Sequence, residues 1–255
     1  MNLLRYKQIL YIFRILILGI FIIGVESFTP KGRAAHNTAL VGSKLYFFGG
    51  SIVNDFSSNE VFYLDVSQTF NVAAPSWTDL TASAKIPFGS EWGTVSLIDN
   101  NNDPIVYLFG GVMRDPISNE DTFNSNVHTF NVKTLKWDIP YINSKAPERR
   151  AFIRGVNDDT GKIYIFGGFS NEYLGTTERT FNDMLILDTV NLIWSYGSII
   201  NVPNKRVSYS ATILTNGVIV YIGGLEPIAT GGYQAVDINQ INLYDTKLDT
   251  WSLKV

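Results

Sequence analysis

The sequence predicts an all-β fold assembled from four copies of one four-stranded antiparallel unit, and three observations predict it. A glycine pair recurs at Gly49-Gly50, Gly110-Gly111, Gly167-Gly168 and Gly223-Gly224, at intervals of 61, 57 and 56 residues. A tryptophan follows each pair, at Trp77, Trp137, Trp194 and Trp251, spaced by 60, 57 and 57 residues. Each pair also closes a short run rich in β-branched and aromatic residues, the composition of a buried strand. Two independent markers sharing one period identify an array of supersecondary units.

Residues 1–27 stand apart from the array. Arg5 and Lys7 give a positive start, and the apolar run Ile15–Val25 has the length of a signal-peptide core. Val25 and Ser27 are tolerated at the recognition positions of a cleavage site before Phe28. The longer stretch Ile9–Val25 is interrupted by Arg14 and is short for a membrane span. The segment is expected to be a signal peptide or an uncleaved signal anchor, in which case residues 9–25 tether the chain to a membrane. Either role places the remainder outside the cytoplasm, secreted or on the extracellular face of a membrane.

Within each unit the first strand follows a basic residue and opens near an aromatic or histidine: Arg33 with His36, Arg149 with Phe152, Arg206 with Tyr209. Unit 2 departs from this with Gly89 and Trp92. On this register His36 aligns with Phe152 and Tyr209. The second strand runs into the glycine pair, as Leu45–Phe48, Val106–Phe109, Ile163–Phe166 and Ile219–Ile222. The third is Asn59–Asp65, with counterparts Ser125–Asn131, Asn182–Asp188 and Asn239–Asp245, each ending on a turn-forming Asp or Asn. The fourth carries the tryptophan, six residues beyond that Asp or Asn in units 2 to 4 and twelve beyond it in unit 1. Val66–Ser76 is therefore an insertion.

The order of basic residue and aromatic, apolar run with Gly-Gly, aromatic strand with Asp, and then Trp resembles the kelch repeat over residues 33–254. The resemblance implies a kelch-type β-propeller, of the galactose-oxidase-like central propeller superfamily, with blades at about 33–80, 88–140, 149–197 and 206–254 inside a repeat domain at 28–255. Elementary packing agrees. A lone four-stranded sheet has two apolar faces and buries them only by stacking on neighbours. Kelch propellers usually have more than four blades, so the resemblance leads one to expect a partial propeller. A truncated copy of a longer propeller, a closed four-blade ring and an open arc that self-associates all remain open.

Alternation of strand direction puts the first–second and third–fourth connections on one face and the second–third and fourth–first connections on the other. The second–third connections are long and differ between repeats, and loops of that kind carry binding residues. The candidates are Asp55, Phe56, Met113, Arg114, Asp115, Glu172, Tyr173, Arg179 and Tyr233. The expected function is a scaffold for a protein or glycan partner, without catalytic residues, metal or cofactor. The alternative is a carbohydrate-active enzyme.

The formal net charge is −3 and becomes −5 once Arg5, Lys7, Arg14 and Glu26 leave with a leader. A mildly acidic domain lacks the cationic surface that nucleic acid requires. The chain has no Cys, so the Tyr–Cys cross-link of a galactose-oxidase-type copper centre cannot form. His36 and His128, the only histidines, fall at blade-packing or surface positions. Asp115, Glu120, Asp121 and Glu172 match no metal-liganding spacing. Gly231-Gly232 lacks the Lys-Ser/Thr element of a phosphate loop.

Overall fold

The structure, a computed structural model, describes residues 28–53, 57–100, 102–121, 125–171, 174–175 and 178–254. The leader expected at residues 1–27 lies outside them. The elements all belong to the compact unit Lys31–Val255.

Each repeat folds into one four-stranded antiparallel sheet paired in chain order. Blade 1 is β2 (Asn37–Val41), β3 (Lys44–Phe48), β5 (Val61–Asp65) and β6 (Trp77–Asp79). Blade 2 is β8 (Thr94–Asn100), β9 (Asp103–Phe109), β11 (Val127–Asn131) and β12 (Lys136–Asp138). Blade 3 is β13 (Gly155–Asn157), β14 (Lys162–Phe166), β17 (Met184–Asp188) and β18 (Ile193–Tyr196). Blade 4 is β19 (Ser210–Ile213), β20 (Val218–Ile222), β23 (Ile241–Asp245) and β24 (Thr250–Lys254). The remaining strands form two-stranded ribbons: β1 (Arg33–Ala34) with β4 (Ser51–Ile52), β7 (Gly89–Glu91) with β10 (Val112–Arg114), β15 (Phe169–Ser170) with β16 (Arg179–Thr180), and β21 (Leu225–Pro227) with β22 (Tyr233–Ala235). One helical turn, α1 (Thr81–Ala84), follows blade 1.

The spacing from third strand to tryptophan has a local cause. The Asn131 side chain accepts the amides of Lys133 and Thr134, and Asp188 and Asp245 cap the next residues in the same way. Leu135, Leu192 and Asp249 then turn through the left-handed region at φ 58°, 52° and 52°. Side-chain capping followed by a left-handed residue closes the hairpin in a fixed number of residues. In blade 1 the insertion breaks that count, and its residues Val66–Ala74 are exposed.

First strands of successive blades lie side by side, β2 against β8, β8 against β13 and β13 against β19. The core is divided accordingly into three clusters. The first joins Tyr46, Phe48 and Val61 of blade 1 to Val106, Leu108, Phe130 and Trp137 of blade 2. The second joins Tyr107 and Phe109 to Ile165, Leu187 and Trp194, and the third joins Tyr164 and Phe166 to Tyr221, Tyr244 and Trp251. The tryptophan of each of these later blades thus packs backwards onto the aromatic pair of the preceding blade, with Trp194 against Phe109 at 5.2 Å and Trp251 against Phe166 at 4.9 Å. Two indoles also bond backwards: Trp137 Nε1 donates to the Ala84 carbonyl (2.8 Å) and Trp251 Nε1 to the Ser198 carbonyl (3.0 Å).

Among the described residues no such core joins blade 4 to blade 1. The burial of blade 4 records this: along Val218–Ile222 and Ile241–Asp245 buried and half-buried residues alternate strictly, whereas four of the five residues of β14 are buried. One face of blade 4 is buried and the other only half-buried. The four blades therefore meet at three interfaces.

The glycine pairs are built for these interfaces. The first glycine sits at φ 61–64° in every blade and the second at φ 78–103°. A Cβ on Gly49 would strike the Ser90 carbonyl of the next blade, and one on Gly168 would lie 2.5 Å from Ile153 Cγ2. The same contacts correct the expected register. Gly50, Gly111, Gly168 and Gly224 face His36, Gly93, Ile153 and Tyr209. His36 thus corresponds to Ile153 and not to Phe152, and the basic residue of blade 3 is Arg150 and not Arg149. Two adjacent arginines make that one-residue slip invisible in the sequence.

Candidate functional site

The ribbons show which loops share a face. In blades 1 and 2 the second–third loop pairs with the segment entering the same blade, as β4 with β1 and β10 with β7. In blades 3 and 4 that pairing shrinks to the bridges Ala151–Phe169 and Val207–Leu225, and the loop folds back on itself as the hairpins β15–β16 and β21–β22. The Tyr233 and Thr180 hydroxyls meet at 2.9 Å and join the two hairpins.

At the inner edge of this face runs a line of four equivalent residues, Ala35, Trp92, Phe152 and Ser208, all left-handed at φ 55–60°. Each amide bonds the carbonyl of the one before: Trp92 to Ala35 (3.0 Å), Phe152 to Trp92 (2.9 Å) and Ser208 to Phe152 (2.9 Å). Holding a bulky residue in this region costs about 1–3 kcal/mol, and such strain persists only where the surroundings enforce it. The backbone bonds account for the conformation. They do not account for two large aromatics in it.

Those rings form a shelf. Trp92 and Phe152 meet in a tilted pair at 4.6 Å between centroids, and Phe152 meets Phe169 at 6.2 Å. Phe152 and Phe169 continue into an almost wholly apolar cleft of about 220 Å³, completed by Val207, Ser208, Leu225 and Tyr233. Trp92 is 39 % exposed and Tyr233 41 %. An apolar concavity rimmed by aromatics with a few polar groups is the usual form of a recognition site.

Of the nine candidates, Tyr233 lines this cleft. Arg179 lines a different groove, with Glu148, Arg150 and Asp183, where it pairs with Glu148 and stacks over the Phe181 ring at 4.5 Å. Arg114 donates to the Asn119 carbonyl (3.3 Å), with Asp121 at 3.9 Å, and so braces its own loop. Asp115 accepts the amides of Ile117 and Ser118, which hold its carboxyl below the usual carboxylate range. Met113 is 1 % exposed within the first core cluster, so its side chain is unavailable to a ligand: β10 alternates, and Met113 points inward. Asp55, Phe56, Glu172 and Tyr173 lie outside the described residues. The shelf residues Phe152 and Phe169, with Val207 and Leu225, are absent from the sequence-based set. Phe152 reads as a strand opening, and only the left-handed turn swings it to the inner edge.

Beneath the face lies a layer of buried arginines. Arg33 pairs with Glu60 and donates to the Gly49 carbonyl (2.9 Å); Arg150 pairs with Asp183 (2.7 Å) and donates to the Gly167 carbonyl (2.9 Å). Arg206 is the counterpart in blade 4, but Gln240 stands where Glu60 and Asp183 stand. Its guanidinium is buried, the residue being 2 % exposed, with Nε and Nη1 unpartnered, and burial lowers its pKa against the opposing pull of Glu226. Both histidines are held neutral. Burial and then Arg33 lower the His36 pKa; burial and then Arg149 bring that of His128 to about 4.

A larger groove of about 540 Å³ opens on the opposite face between the hairpin turns of blades 3 and 4. Of its two acids, Asp158 and Asp159, the first is consumed by its own turn, accepting from the Thr160 and Lys162 amides and the Tyr164 hydroxyl. No group of three metal-ligating side chains occurs among the described residues.

Known proteins fit this geometry. Residues 35–254 match a domain model described as the KLHDC2/KLHL20/DRC7 Kelch-repeats domain. The chain is 27 % identical over 227 residues to host cell factor 1 of Rattus norvegicus, covering 82 % of this chain and 10 % of that protein. It is 27 % identical over 240 residues to Kelch domain-containing protein 3 of Bos taurus, covering 86 % of this chain and 56 % of the other. The chain thus spans from a tenth to little more than half of these relatives. Among solved structures, one titled "Structure of YjhT" superimposes with a TM-score of 0.64 at 18 % identity, over 89 % of this chain and 66 % of that one.

Proposed function

Because the chain belongs to the kelch-repeat family, whose domain model takes in residues 35–254, we propose that it is a non-catalytic recognition scaffold that holds a protein partner on its hairpin-bearing face. The observation that carries this reading is the aromatic shelf. The left-handed line needs only backbone, and glycine would fill it without strain. Trp92 and Phe152 occupy it instead, partly exposed and continuous with the apolar cleft. Aromatic anchors in an apolar pocket, surrounded by polar loops, are the usual composition of a binding hot spot.

The test is affinity capture with Trp92→Gly and Phe152→Gly. Glycine accepts the same φ, so these variants delete rings and leave the backbone line in place. Loss of the captured partner with an unchanged melting curve is the expected result. Retention of the partner by both variants refutes this assignment of the site. A glycan is the second reading, favoured by the same exposed rings, since flat aromatic faces also stack on sugars. Competition of capture by soluble oligosaccharides would select it.

The composition of residues 1–27 supports an extracytoplasmic scaffold, secreted or tethered. N-terminal sequencing of the exported protein tests this: a start at Phe28 supports a cleaved leader, and protein confined to the cytoplasm refutes export.

A further inference from the structure

Resting on the protein-binding role proposed for the hairpin-bearing face, we infer that the hydroxyl pair Thr180–Tyr233 is a clasp that holds the apolar cleft to one width, and that the cleft so held seats a single uncharged apolar side chain of the protein partner.

The clasp joins two walls that are otherwise separate. Each hairpin meets the segment entering its blade at one bridge. Ala151 and Phe169 exchange both amide bonds there (2.8 and 3.0 Å), as do Val207 and Leu225 (2.9 and 2.8 Å). Thr180 stands directly across its hairpin from Phe169. Its hydroxyl meets that of Tyr233, on the other hairpin, at 2.9 Å. The bond therefore ties the wall carrying Phe169 to the wall carrying Tyr233. Thr180 is buried and its hydroxyl points away from bulk water, whereas Tyr233 faces the cleft. Among the described residues Tyr233 makes no other hydrogen bond and no ring contact, so that bond is the one directional contact on its side chain.

The lining selects the occupant by charge. All six lining residues, Phe152, Phe169, Val207, Ser208, Leu225 and Tyr233, are uncharged. The Tyr233 hydroxyl is spent on Thr180. A charged group entering the cleft would lose its water and meet no counter-charge. A sugar would bring several hydroxyls to a lining whose remaining hydroxyl is that of Ser208. Each polar group left unpaired in this way weakens binding by about tenfold. The complementary occupant is uncharged and apolar. Size narrows it further. A dry cavity of roughly 150 Å³ takes one benzene molecule, so a cleft of about 220 Å³ takes one side chain of the size of leucine or phenylalanine. Phe152 belongs both to the cleft and to the exposed shelf with Trp92. The residues on either side of the anchor can lie on that shelf, which a protein segment would cover and a small free molecule would not.

The probes are N-acetyl-leucinamide and N-acetyl-phenylalaninamide, with N-acetyl-lysinamide and methyl β-galactoside as controls, each titrated into the full chain and followed by NMR. The two apolar amides should bind saturably and compete with each other, and the controls should not bind. Thr180→Val and Tyr233→Phe should each weaken the apolar probes about three- to tenfold with unchanged melting curves. The double variant should be no weaker than either single one, because both act through one bond. Thr180→Ser keeps the hydroxyl and should bind as the wild type does. Unchanged binding in both single variants, or additive losses in the double, overturns the clasp. Preferential binding of the sugar or the lysine amide overturns the occupant. Failure of both apolar probes overturns it too, while the protein-binding reading stands if capture still depends on Trp92, a ring outside the cleft. Capture indifferent to Trp92→Gly and Phe152→Gly removes the protein partner, and this occupant with it.

Discussion

His128 shows how a position inherited from the repeat acquires a pH dependence. Its counterparts in the third strand are Phe62, Leu185 and Asn242, and it packs edge-on against Phe88 at 4.5 Å with Nδ1 unpartnered. Its folded pKa, about 4, lies below the ordinary histidine value of 6.5, so the unfolded chain takes up a proton that the folded chain refuses. Stability is full above pH 6.5 and falls as the pH drops towards 4, by about 3 kcal/mol if the whole shift is realised. His128→Leu should flatten that decline between pH 6.5 and 4 in urea titrations and change little at about pH 8. An equal decline in the variant would assign the acid sensitivity elsewhere.

Two further residues have definite expectations. Gly168→Ala forces a Cβ to 2.5 Å from Ile153 Cγ2 at φ 99° and should cost about 2–4 kcal/mol, read as a lower urea midpoint at constant slope. Gln240→Glu should supply Arg206 with the carboxylate that Arg33 and Arg150 already have. A gain of about 1–2 kcal/mol is expected, measured in the same titration, and a loss would show that Arg206 is satisfied in another way.

At the scale of the element, the fourth strands divide by what their tryptophans meet. Trp137, half-buried, and Trp251, buried, pack on a preceding blade and donate an indole hydrogen bond. Trp77 packs within its own blade, on Phe47 and Phe62. Truncating a fully packed indole costs about 3–5 kcal/mol. Trp251→Ala should reach that range, and Trp137→Ala and Trp77→Ala, at half-buried indoles, should fall short of it. Equal losses would mean that Trp77 and Trp137 are packed as fully as Trp251. The hairpins β15–β16 and β21–β22 are elements of another kind. They add little to the blade cores and raise the binding face over blades 3 and 4 only.

The whole molecule is a linear array, since each blade packs on its neighbours in sequence. Stability in such an array approximates a sum of blade and nearest-neighbour terms. Trp137 and Trp251 belong to different interface clusters, the first and the third. Their alanine variants should therefore combine additively, within about 0.5 kcal/mol, in chemical denaturation of the double variant. Strong non-additivity would indicate a closed ring in which strain passes around the circle.

The repeat, its strands and its turn residues were legible in the sequence because each rests on local chemistry. Gly-Gly reports a left-handed backbone, Asp188 and Asn131 report capped turns, and alternating apolar runs report two-sided sheets. The shared face of the long loops followed from strand parity alone. What distance in sequence hides had to come from the fold. Phe152 and Phe169 meet because of a left-handed turn that no neighbouring residue announces, Met113 turns inward by the parity of a short strand, and the one-residue ambiguity at Arg149-Arg150 is settled only by which guanidinium reaches Gly167. Local chemistry therefore determined the blades. Only their stacking, through contacts between residues about sixty positions apart, decided which side chains are buried and which form the shelf.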